Sequence, residues 1–88
     1  MSEERDYLAL VLCSGMGTYW RSKDRDEAVK RCARLFKSDF KSILKIGKTV
    51  KVNLYDVTGY DEVWWDDRGM WSGKKQIDVP HEVVDYRY

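Results

Sequence analysis

Eighty-eight residues, 43% hydrophobic and 35% charged, make one domain spanning residues 1–88, because a chain of this size encloses a single core and buries only about 60–65% of its unfolded surface. This composition excludes a disordered chain, and the longest apolar run, Tyr7 to Cys13, is far short of the ~18 residues of a membrane-spanning helix. The net charge of +1 hides a polarity: Met1 to Val50 carries eleven Lys/Arg against seven Asp/Glu, and Lys51 to Tyr88 five against eight, a dipole that can orient an encounter without naming the partner.

Glu3, Glu4, Arg5 and Asp6 precede the first apolar run. They lack the basic region and cleavage site of a secretory signal, so a cytoplasmic protein is expected. Tyr7 to Cys13 alternates Leu8, Leu10 and Leu12 with Ala9, Val11 and Cys13, which suits a central strand covered on both faces. Ser14-Gly15-Met16-Gly17 is a turn signal, and Thr18-Tyr19-Trp20-Arg21 continues as a second strand.

Asp24 followed by Glu27 predicts a helix start of the capping-box kind. Ala28, Val29, Cys32, Ala33, Leu35, Phe36, Phe40 and Ile43 recur at helical spacing, with an end near Lys37 or Ser38, or a restart as a short turn beyond it. Val50, Val52 and Leu54 then alternate with Lys51, Asn53 and Tyr55 as a half-buried strand. Thr58-Gly59 turns the chain into Glu62–Gly73, EVWWDDRGMWSG, which holds three of the four tryptophans. A hairpin is expected there, closed by Asp67-Arg68-Gly69 as a type I turn with a glycine bulge, so that Trp65 faces Trp71 and Trp64 points the other way. Gln76 to Val79 adds an edge strand ended by Pro80, and His81 to Tyr88 reads equally as a helical turn or an extended segment. The order β-β-α-β-β-β gives an α+β two-layer sandwich: a mostly antiparallel sheet of four to five strands with one amphipathic helix on one face. That order is shared by unrelated small domains and carries no function by itself.

Two cysteines are too few for a disulfide scaffold and lack metal-ligand spacing, so Cys13 and Cys32 are expected as reduced core thiols, with a strand-to-helix disulfide as the alternative. Ser42 to Thr49 nearly spells a phosphate-binding loop, but serine replaces its first glycine and a strand follows where a helix is required. Gly15-Met16-Gly17 lacks the third glycine of a dinucleotide fingerprint. Asp56, Asp61, Glu62, Asp66 and Asp67 fall at turns, where aspartate bonds its own backbone, and they lack the ligand spacing of a calcium loop. His81, the single histidine, has no carboxylate or thiol neighbour in sequence. No cofactor, no metal site and no enzymatic activity are expected.

Two surfaces invite a partner. Lys23, Lys30, Arg34, Lys37 and Lys41, with Lys45 adjoining, form a basic stripe opposite the apolar face of the helix. With Trp20, Tyr60 or Trp64 stacking on bases, the stripe could track phosphates, but the near-zero net charge weighs against nucleic acid and lysine-rich outer faces also serve solubility. The tryptophan hairpin is the leading surface, because one helix covers one sheet face and the tryptophans point both ways, leaving an apolar patch rimmed by charge. The sequence therefore predicts a small non-enzymatic protein-binding module, a regulator or inhibitor of the stand-alone kind that viruses also encode. Trp64, Trp65 and Trp71 would be its anchors, Asp66, Asp67 and Arg68 would orient it, and a protein or a second copy of the chain would be its partner. A nucleic-acid-binding domain using Lys30, Arg34, Lys37 and Lys41 is the alternative.

Overall fold

β1 (Tyr7–Cys13) is apolar on both alternating faces because it is an inner strand with a core on each side. The computed structural model describes residues 4–13, 16–39 and 49–87. In chain order the other elements are β2 (Met16–Ser22), α1 (Arg25–Asp39), β3 (Thr49–Asp56), β4 (Trp64–Asp66), β5 (Gly69–Ser72), β6 (Lys75–Gln76) and β7 (His81–Arg87). They form a four-stranded sheet ordered β2-β1-β3-β7 and a three-stranded sheet ordered β4-β5-β6. Every pairing is antiparallel.

The α+β sandwich read from the sequence is present, but the strands divide between two sheets. α1 buries Ala28, Val29, Cys32, Ala33 and Phe36 against Ala9, Val11, Val52 and Leu54. The opposite face meets the small sheet, where Leu8 packs with Val57, Met70 and Ile77. Leu8 and Ala9, adjacent in the chain, thus belong to different cores, as the period of two requires. The last segment is a strand: Val84 pairs with Val52 and Tyr86 with Val50, and both pack against the helix-side core.

α1 begins as its sequence predicts, with Asp24 Oδ1 accepting the Glu27 N–H at 3.1 Å. The reciprocal half of the box is replaced: Glu27 binds Arg31 at 2.6 Å, one turn on, and Ser22 Oγ accepts the Asp24 N–H at 3.2 Å. The helix runs on to Asp39. Leu35, placed on the apolar arc by spacing, lies at its margin and is 38% exposed. Phe40, Lys41, Ile43, Lys45 and the near phosphate-binding motif from Ser42 to Lys48 lie outside the described residues. Cys32 is the buried free thiol expected of it, and its Sγ–H donates to the Thr18 carbonyl at 3.2 Å; the alternative disulfide is not formed.

Candidate functional site: the tryptophan hairpin

The β4–β5 hairpin is one residue out of the register expected for it. Asp66 pairs with Gly69, Trp65 with Met70 and Trp64 with Trp71, so the loop has two residues, Asp67 and Arg68. The cause is Asp66, whose Oδ1 accepts the Arg68 N–H at 2.9 Å and the Trp71 Nε1–H at 2.9 Å, fixing it at the turn entrance. A slip of one residue exchanges the two faces of a strand. Here it buries Met70, and Trp65 joins the second core beside it.

Trp64 and Trp71 are therefore the cross-strand pair. Their rings stack with centroids 5.2 Å apart and planes 10° from parallel. Trp64 is 42% exposed and donates Nε1–H to the Gly73 carbonyl at 2.8 Å. Arg68 sits with its guanidinium carbon 5.2 Å from the Trp71 ring centroid, a cation–π distance. The Trp71 indole bond, the amides of Arg68 and Gly69 and the nearby Arg68 charge hold the Asp66 carboxyl below the usual carboxylate range. Asp67 is exposed beside them. The slab thus has two stacked indoles with both N–H groups satisfied, rimmed by an arginine and two aspartates.

Trp65 takes a different role from the one its sequence suggests. It meets Tyr19 edge-on, with centroids 5.1 Å apart and planes at 67°, and packs against the Leu8–Met70 core. It still contributes to a hollow of about 500 Å³ between the hairpin and β2, with Tyr19, Arg21, Val63 and Trp64. The hollow's floor is held by Arg21, which donates to Asp6 and to the carbonyls of Tyr60 and Asp61. Arg21 belongs to no motif, and its one signal in the sequence is a charge in a strand of otherwise uncharged residues; it stands opposite Leu8 on the face that the small sheet covers.

The remaining candidates separate. Lys30, Arg34 and Lys37 are exposed on α1, whereas Lys23 binds Glu4 at 2.7 Å. Asp56 accepts from Thr58 within its own turn and pairs with Arg5 at 3.4 Å. His81 stacks on Tyr55 at 4.4 Å and its Nε2 lies 3.3 Å from Asn53 Oδ1. Among the described residues no three His, Cys, Asp or Glu side chains converge to hold a metal, and no helix is long and apolar enough to cross a membrane. No protein-family model, curated protein or solved structure matches this chain.

Proposed function

We propose that the chain is a small non-enzymatic protein-binding module, acting as a regulator or inhibitor, that docks the Trp64–Trp71 slab onto a protein partner. The carrying observation is that these two indoles stack outside both cores, with Trp64 42% exposed. Tryptophan is enriched at the centres of interfaces, where a desolvated ring contributes strongly to affinity and a polar rim surrounds it. Arg68, Asp66 and Asp67 supply that rim. Trp65 supports the slab from beneath.

The test is affinity capture with wild-type chain and with folded Trp64→Ala and Trp71→Ala chains as bait. A protein held by the wild type and released by both variants supports the reading. Capture unchanged by either variant overturns it. Binding of short oligonucleotides at low salt that disappears when Lys30, Arg34, Lys37 and Lys41 are neutralised would move the function to the helix.

A further inference from the structure

Among the described residues β2 is an outer strand of the large sheet, with one side unpaired. Native sheets blunt such edges with charge, proline or bulges. The other outer strand, β7, follows that rule with exposed Glu82, Asp85 and Arg87. β2 does not: its register with β1 is continuous from Met16 to Ser22, and its one charge, Arg21, is bound to Asp6 at 2.6 Å.

Apolar side chains border this edge on both sheet faces. Tyr19 (55% exposed) lies on one face and Trp20 (38%) on the other, with Leu35 (38%) on the overlying helix. Leu12 (57%) is reached across Gly17, where a Cβ would come within 3.2 Å of its Cδ2. Four of the six large hydrophobic residues exposed among the described residues thus line one strand. A hollow of about 440 Å³ runs along it, walled by Tyr19, Trp20, Arg21 and Leu35.

The geometry points to a second copy of this chain as the occupant, joined β2 to β2 in antiparallel register about a two-fold axis at Tyr19. That register sets Gly17 against the partner copy's position 21 and Thr18 against its position 20, small residues facing large ones. Tyr19 meets its own equivalent. α1 lies chiefly over β1 and β2. Strands about 4.8 Å apart then bring the two helices to about 10 Å, a normal packing distance, with the Leu35 side chains between them. An isolated peptide strand would leave Leu35 uncovered, whereas a second copy covers strand and helix together. The basic charge beside this edge is Arg31, whose guanidinium carbon lies 5.9 Å from the Trp20 ring centroid, and Glu27 pairs with it at 2.6 Å, which reduces the repulsion between two copies. Tyr19 and Trp64 border a common hollow, but Trp64 and Trp71 are not among the residues that line the β2 edge.

Light scattering on the eluting full chain reads the outcome. The expected mass is twice the 10.4 kDa of one chain, falling to a single chain in Tyr19→Lys and in Leu35→Lys with helical circular dichroism retained. Like charges are then forced together at the axis. Val83→Lys, on the opposite edge, and Trp64→Ala keep the doubled mass. Because Tyr19 also touches Trp65, Leu35→Lys on the exposed helix decides the matter if Tyr19→Lys fails to fold. A wild-type chain that elutes at single mass up to millimolar concentration overturns the proposal. So does a dimer that survives Leu35→Lys, or one that only Trp64→Ala breaks.

Discussion

Arg21 donates Nε–H and Nη2–H to the same carboxylate oxygen of Asp6, at 3.0 and 2.6 Å. The same guanidinium reaches the carbonyls of Tyr60 and Asp61, so one side chain ties the segment before β1, the strand β2 and the loop entering the hairpin. Replacing it strands a half-buried carboxylate and two carbonyls. Arg21→Met should cost about 2–3 kcal/mol of unfolding free energy, measured by urea titration, and should weaken partner binding because the hairpin loses its footing.

Trp64 and Trp71 carry the proposed docking surface without holding up either core. Trp64→Ala should therefore weaken association by more than about 1 kcal/mol, while fold stability falls only by the ~0.2–1 kcal/mol of a cross-strand pair. Calorimetric titration against the captured partner, beside thermal melts of both chains, separates the two quantities.

Asp66 gives the hairpin an acid limit. Its folded carboxyl is held low, first by the Trp71 indole N–H; an aspartate in the unfolded chain titrates near about 3.9. The stabilisation is complete above that value and is lost as pH falls through the lower, folded one. Tryptophan fluorescence should report the Trp71 environment changing below the ordinary aspartate range, and Asp66→Asn should abolish that acid transition.

Cys32 should be chemically silent in the folded chain. Burial pushes its thiol up to about 11, and the residue has no exposed surface. A maleimide at neutral pH should leave Cys32 unlabelled until denaturant is added, as peptide mapping would show. Because the folded value is raised, the contribution to stability is intact below the ordinary thiol range and declines as pH climbs toward 11.

The Asp24 cap is the most local of the tests. Asp24→Ala removes the acceptor of the Glu27 N–H and should cost about 1 kcal/mol, lowering the melting temperature by about 4–8 °C for a domain of this size. Asp24→Ser should recover most of the loss.

Strands and helix were legible where one periodicity dominated. β1 announced its two covered faces through Leu8/Leu10 against Ala9/Val11, and Asp24 marked the helix start. The hairpin register was not legible, because Asp66 and Asp67 are equally good turn formers in sequence. The choice between them rests on the Trp71 indole and on the burial of Met70, both of which need the folded chain. The segment from His81 reads equally as a helical turn or an extended segment, because what makes it a strand is its pairing with Val50 and Val52 of β3, far back in the chain, which no local pattern displays. Leu35 was misplaced because helical spacing gives an arc without saying how wide the opposing sheet is.

The division between Leu8 and Ala9 gives the molecule two layers of unequal tenure. The helix layer joins α1 to the large sheet, with Ala9 and Val11 of β1, Val52 and Leu54 of β3, and Val84 and Tyr86 of β7 meeting in one core. The hairpin layer rests on the far side of the finished sheet through a few residues, chiefly Leu8, Met70 and Ile77. With Arg21 as its chief polar tie, this layer is held by fewer apolar contacts than the helix-backed sheet and opens at lower cost. A partner that grips the indole slab would therefore load the less strongly held of the two layers.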